Sequence, residues 1–383
     1  MVDIGNYEGR EQAFIKHFFF KNYIETLFFR LASKFSHIVY IDGFSGPWQS
    51  NDEKFKDTSF GIALDAMLMV KAHNKGKGSS VNFTAHLVEK NATAYGELSK
   101  IPAKFPDLTI KTYNADFLDV VEKISKTMDK NSFCFIFIDP KGWKIDLKKL
   151  EPLLSFKNSE VIFNFMFDFI NRFVTHPSPA VGDGLDKLFP YSENWRDKIP
   201  SDPSPDDRKN IIFDEFAINL EIAGGYHFVS QTEVLKPTKD RALYALFYAT
   251  RNKKGVEVFR QQQVKALEKQ IQTRGETKIK DQQSKSGQGE MFTSTNEFAP
   301  NKTEEILKTH QIDAKKFILN TIPIKPANIL YEDLRLETAK RFIVKFSDVN
   351  QICKVLKDKN LIEFPDWEKG KRVPQPSYRV QKL

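Results

Sequence analysis

The chain has 383 residues, 40% of them hydrophobic, a formal net charge of +8 and only two cysteines. That length supports one large core and a second small domain. No run of eighteen apolar residues occurs and the opening Met1-Val2-Asp3-Ile4-Gly5 has no apolar signal region, so a cytoplasmic protein without a membrane segment is expected. Cys134, inside an apolar run, and Cys353, in an expected helix, lack the spacing of a metal or disulfide framework, which excludes an iron–sulfur centre built by this chain alone. The excess of Lys and Arg suits an anionic partner such as DNA or RNA, through counterion release, or serves solubility alone.

Residues 11–32 carry Phe14, Ile15, Phe18, Phe19, Leu27, Phe28 and Leu31 at helical spacing, which predicts one amphipathic helix. Lys16, His17 and Lys21 are read as its solvated face, with ligand contact as the other reading. Continuous apolar runs follow at 38–41, 83–88, 108–113, 133–138 and 161–167, as in strands buried on both faces of a parallel sheet. The first interval reads as a helix over 62–70 with Thr58 or Ser59 as its N-cap. Alternation of this kind predicts an α/β doubly wound fold. Two further strands, 226–234 and 242–250, are joined by a connection too short for a parallel crossover and must pair antiparallel if adjacent.

Residues 176–210 are rich in Pro, Asp and Ser and are expected to form an inserted loop or lid. Residues 260–300 are polar and Gln-rich and are expected to link a domain over 1–259 to one over 301–383. In the second domain, 329–342 and 349–356 read as helices, the latter capped by Ser347. Strands at 361–364 and 377–380 then flank a Lys/Gly/Pro-rich loop, in the manner of a winged-helix-like domain. Lys354, Lys357, Lys371 and Arg372 are its candidate phosphate contacts, or else a solvated face.

The chemistry-bearing candidates stand at strand ends, where open α/β sheets bind ligands. Asp42-Gly43-Phe44-Ser45-Gly46-Pro47-Trp48 follows the first strand: an acid to anchor a cationic or hydroxyl-bearing group, and glycines to let backbone approach it. A plain strand-turn is the alternative. Glu89 closes the second strand, where a carboxylate accepts from ribose hydroxyls, and Asp116 and Phe117 follow the third, where an acid can meet an adenine amino group and a ring can cover the base. Asp139-Pro140-Lys141-Gly142-Trp143 follows the fourth, as a substrate-facing motif or as a turn capped by Asp139. Asp168, Asn171 and Arg172 follow the fifth and either bind substrate with Lys141 or make helix-start and salt-bridge contacts. The full G-x-G-x-x-G of nicotinamide or flavin binding is absent, Gly76-Lys77-Gly78-Ser79-Ser80 fails the P-loop spacing, and Cys134 lies inside a strand where it offers no nucleophile.

On Ile15-Lys16-His17-Phe18-Phe19, the segment 39–50, Asp57-Thr58-Ser59-Phe60-Gly61, Ala85-His86-Leu87-Val88-Glu89, Phe137-Ile138-Asp139-Pro140-Lys141-Gly142-Trp143 and 163–172, the chain resembles the three-Cys-motif partner protein family, TcmP. The resemblance implies a Rossmann-like class I methyltransferase sheet, five parallel strands plus an antiparallel hairpin, binding S-adenosylmethionine through Asp42, Gly43, Phe44, Ser45, Gly46, Glu89, Asp116 and Phe117. It implies Asp139, Pro140 and Trp143 as catalytic residues by likeness to the D/N-P-P-aromatic motif of amino-group methyltransferases, from which Lys141 and Gly142 depart. It also implies a partner bearing three clustered cysteines, a candidate radical-SAM-like enzyme, and leaves open a non-catalytic adaptor that positions nucleic acid for that partner.

Overall fold

The computed structural model describes residues 4–7, 9–46, 50, 55, 57–174, 176, 178–286 and 302–383. They form two compact units, Met1–Arg251 and Asn252–Leu383.

In the first unit, α1 (Glu11–Leu31) leads into β1 (His37–Asp42), α2 (Ser59–Gly76), β2 (Asn82–Val88), α3 (Ala92–Leu98), α4 (Ile101–Lys104), β3 (Thr109–Tyr113), α5 (Phe117–Lys126) and β4 (Phe133–Ile138). It continues through α6 (Leu147–Leu154), β5 (Ser159–Phe165), α7 (Phe167–Phe173), α8 (Pro179–Asp186), α9 (Pro205–Gly224), β6 (Phe228–Leu235) and β7 (Ala242–Thr250). The seven strands make one sheet in the order β3-β2-β1-β4-β5-β7-β6. β1 to β5 are mutually parallel, while β7 runs antiparallel to β5 and β6. β4 and β5 are buried along their whole length, the condition that their unbroken apolar sequences meet.

Helix starts follow local chemistry. Thr58 caps α2 by accepting from the Gly61 N–H, Asn91 caps α3 by accepting from the Ala94 N–H, and Asp116 caps α5 by accepting from the Leu118 N–H. Of the two caps expected for α2, Thr58 serves.

The stretch 176–210 is not a long loop. Ser178 and Ser204 precede Pro179 and Pro205, each proline at a helix start where its missing N–H costs nothing, so the Pro/Ser signal marks the beginnings of α8 and α9. Leu185, Leu188, Phe189 and Trp195 are buried in the main core, Phe189 stacking on Trp195 at 4.2 Å.

The second unit begins with α10 (Lys253–Ser286), so the expected linker is helical as far as Ser286, and its remainder lies outside the described residues. A Gln-rich sequence becomes a buried helix here because its polar side chains find partners. Arg260 donates to the carbonyls of Ala339 and Lys340 and to Gln263 Oε1, and Gln270 donates to Thr303. Next come α11 (Lys302–Thr321), β8 (Ile329–Leu330), α12 (Tyr331–Arg341), α13 (Phe346–Asp358), β9 (Ile362–Glu363) and β10 (Arg379–Lys382). β8, β10 and β9 form a three-stranded antiparallel sheet in that order. The helix expected from 329 starts two residues later because Ile329 and Leu330 pair with β10. Ser347 lies inside α13, and the start of that helix is instead fixed by the Asp348 carboxylate accepting the Lys345 N–H at 2.9 Å. Tyr331, Leu334, Val349, Cys353, Leu356, Ile362 and Val380 fill the core of this unit.

Candidate functional site

A cavity of about 1010 Å³ opens beyond the carboxyl ends of β1 to β5. The parallel register builds it. Asp42 pairs with Leu87 and Phe137, and Val88 with Tyr113, so the residues that follow these strands converge on one edge. Ile138 pairs with Phe163, which sets the next residues, Asp139 and Asn164, side by side.

Glu89, Asp116 and Phe117 line the cavity at the β2 and β3 ends. Glu89 is buried, and its Oε1 accepts the Asn91 N–H at 2.6 Å. Asp116, while capping α5, lies 3.5 Å from Lys90 Nζ in an exposed pair. Phe117 packs edge-on to Phe44, with ring centroids 5.8 Å apart, and both rings belong to the wall.

The loop after β1 is wall as well, through Gly43, Phe44, Ser45 and Gly46, while Pro47 and Trp48 of the motif lie outside the described residues. Two expectations for it are corrected. Asp42 does not reach the cavity: it is fully buried, and its carboxylate accepts from Tyr40 OH at 2.9 Å, Ser59 Oγ at 2.7 Å and Phe44 N–H at 3.0 Å. Tyr40 stands two residues before it on the same strand face, and Ser59 opens α2, so Asp42 ties the wall together from behind. Burial pushes its carboxyl up, these hydrogen bonds pull it partly back, and it sits at about 6. Gly43 makes room for protein rather than ligand, because a Cβ there would lie 2.5 Å from the Phe117 ring.

At the β4 end, Asp139, Pro140, Lys141, Gly142 and Trp143 all contribute to the wall. Asp139 Oδ2 pairs with Lys16 Nζ at 2.5 Å, and its Oδ1 accepts from Asn164 Nδ2. Burial acts to raise this carboxyl, but the Lys16 ammonium and the two hydrogen bonds outweigh it and hold it below the ordinary range. The Pro140 carbonyl accepts the Gly142 N–H at 3.0 Å, a tight turn that Gly142 permits with φ +113°. Trp143 is buried against Phe173 and against Gly184, where a Cβ would meet its ring at 2.4 Å.

Asp168, Asn171 and Arg172 are not on the cavity wall. Asp168 is buried in ion pairs with Arg172, Lys236 and Arg241, and the Asn171 carbonyl accepts from Arg208.

Lys16, His17 and Asn164 do line the cavity, although neither strand-end logic nor the solvated-face reading of the first helix selects them. Tyr244 OH donates to the Gln12 carbonyl and ties the first turn of α1 to β7, which brings Lys16 and His17 to the site. His17 shares a 2.8 Å hydrogen bond with Tyr7 OH. Burial, then the neighbouring Lys16, lowers it to about 3, so it is neutral near pH 7. Asn164 Oδ1 is a buried acceptor without a hydrogen-bond partner beside Asp139. Its sequence signal is one amide inside the apolar run of β5.

In the second unit Lys357 lies over the Trp367 ring at 4.5 Å, Lys371 is 3.7 Å from Glu368, and Lys371 and Arg372 are exposed on the connection between β9 and β10. Lys354 is on the same helix as Lys357. Cys134 and Cys353 are both buried, one in each unit. No helix among the described residues is long and apolar enough to cross a membrane.

No family model matches the chain, and no curated protein matches it. One solved structure similar in part is protein LPL1258 from Legionella pneumophila, of the DUF519 family, at 10% identity, with 61% of this chain and 84% of that one covered and a TM-score of 0.35. A likeness that slight carries no argument about function.

Proposed function

We propose that the first unit binds S-adenosylmethionine and acts as a class I methyltransferase-like protein on nucleic acid or a nucleotide-like group. One observation carries this reading: a sheet of five parallel strands with an antiparallel hairpin, β3-β2-β1-β4-β5-β7-β6, delivers Glu89, Asp116 and Asp139 to a single cavity. Five parallel strands plus an antiparallel hairpin is the sheet that the resemblance to the three-Cys-motif partner family implies.

The residues present fit the cofactor. Glu89 offers a carboxylate to a ribose diol, the Phe44–Phe117 pair an apolar slot for a base, and Asp116 an acceptor for its amino group. When bound, S-adenosylmethionine supplies an electrophilic methyl group. The chain supplies placement: the nucleoside end at β2 and β3, and the acceptor end between Asp139, Asn164 and Trp143. Asn164 Oδ1, buried without a partner, is a ready acceptor for a substrate N–H. An amine or hydroxyl acceptor must also lose a proton. Asp139, held low by Lys16, orients such a group better than it takes the proton.

That ion pair favours a second reading, a non-catalytic adaptor that keeps the fold and presents nucleic acid to a three-cysteine, radical-SAM-like partner. In both readings α12, α13 and the sheet β8-β10-β9 serve as a winged-helix-like module, the segment between β9 and β10 as its wing, and Lys354, Lys357, Lys371 and Arg372 as its phosphate contacts. Tritium transfer from labelled cofactor into a lysate separates the two: a labelled product lost in Asp139→Ala supports the enzyme, and no product from a cofactor-binding protein supports the adaptor.

A further inference from the structure

We propose that Arg172 and Arg241 form a phosphate-binding clamp for a single nucleic-acid strand whose base stacks on Phe169; the proposal rests on the nucleic-acid reading of the cavity and names the form of substrate. Asp168, its side chain 4% exposed, gathers three cations: Arg172 from one turn along α7, Lys236 Nζ at 3.1 Å and Arg241 Nη2 at 3.0 Å. β7 runs antiparallel to β5, so the turn before β7 meets the carboxyl end of β5 and delivers Lys236 and Arg241 there.

The Arg172 and Arg241 side chains are 57% and 51% exposed, and each guanidinium carries five N–H donors in a planar fork that matches phosphate oxygens. Directly after Asp168 stands Phe169, 43% exposed, on the cavity wall and with the Arg172 guanidinium 5.6 Å from its ring centroid. An exposed ring beside exposed guanidinium groups is how single strands are held, bases on the ring and phosphates on the cations. A free anion has no use for the ring, and an apolar partner has none for the charges. A strand lying across Phe169 directs its neighbouring base into the cavity.

The test uses the full chain and a fluorescent single-stranded oligonucleotide of about twelve nucleotides, with anisotropy recorded over a range of salt. Arg172→Ala with Arg241→Ala should weaken binding about tenfold and make the salt dependence shallower by about 1.4, for two phosphates on a single strand. The double Arg→Lys variant keeps the charge and should retain the wild-type slope. If the double alanine variant fails to fold, Arg172→Gln and Arg241→Gln singly should each reduce the slope by about 0.7. Phe169→Ala should weaken the base-bearing strand about fivefold and leave an abasic strand of equal length unchanged. Folded arginine variants with wild-type affinity and slope, or equal losses on both strands for Phe169→Ala, overturn the clamp. Arginine-dependent strand binding by a protein that takes up no S-adenosylmethionine keeps the clamp and removes only the methyl-transfer reading.

Discussion

Replacing Asp42 by Asn isolates the cost of a buried carboxylate in the wall of the site. Asp42 is fully buried, and its carboxyl, raised by burial against the hydrogen bonds from Ser59, Phe44 and Tyr40, titrates at about 6. An unfolded aspartate titrates at about 3.9. Between these values the folded state binds more protons than the unfolded one, so stability falls as pH rises. The penalty is absent below about pH 4, complete above about pH 6, and amounts to about 3 kcal/mol. Asn has the same shape and no charge: its Oδ1 accepts the Phe44 N–H, and the Tyr40 and Ser59 hydroxyls can turn to accept from its Nδ2. Urea unfolding followed by tryptophan fluorescence, which includes Trp143 and Trp195 of the same unit, is the assay. The stability of Asp42→Asn relative to the wild type should rise by about 3 kcal/mol from about pH 4 to about pH 7.5. A difference that does not vary with pH means that Asp42 carries no buried-charge penalty in the folded protein.

Gly43→Ala sets a methyl group 2.5 Å from the buried Phe117 ring and should cost about 1–3 kcal/mol, read as a lower Tm; an unchanged Tm means the ring moves without penalty. The Asp139 carboxyl lies below its unfolded value, so it contributes stability present above about pH 4 and lost as pH falls further. Lys16→Met removes the cause of that depression, and acid titration by circular dichroism should show the wild type, not the variant, losing this increment. Arg260→Met strips the carbonyls of Ala339 and Lys340 of their buried donor at the end of α12 and should cost about 3 kcal/mol. Hydrogen exchange should then quicken in Tyr331–Arg341, and unchanged protection there contradicts the assigned role.

β4 and β5 were legible because a chain buried on both sheet faces must be apolar at every position, as 133–138 is, whereas β3, expected to be buried on both faces, lies at the sheet edge with no buried residue. The short connection at 235–240 likewise dictated an antiparallel pair. The stretches 176–210 and 260–286 misled for one reason: composition reports solvation, not partners. Ser178-Pro179 and Ser204-Pro205 begin helices, and Arg260, Gln263 and Gln270 are buried because side chains and helix-end carbonyls pair with them. At the site, Glu89, Asp116 and Asp139 are on the cavity wall as strand-end logic required. Asp42 obeyed the same logic in sequence yet faces Tyr40 and Ser59, hydroxyls whose proximity depends on where α2 docks. Lys16 was only half legible, because a lysine between apolar helix positions reads as solvated, with ligand contact as the other reading, until β7 fixes where the helix begins.

Calorimetric titration of the full chain with S-adenosylmethionine, in the wild type and in Glu89→Gln, decides whether the first unit binds this cofactor. The wild type should show one binding event, weakened about tenfold or more in Glu89→Gln by loss of a charge-assisted hydrogen bond to the ribose. A folded protein that takes up no S-adenosylmethionine, or binds it equally well in both forms, contradicts the proposed binding.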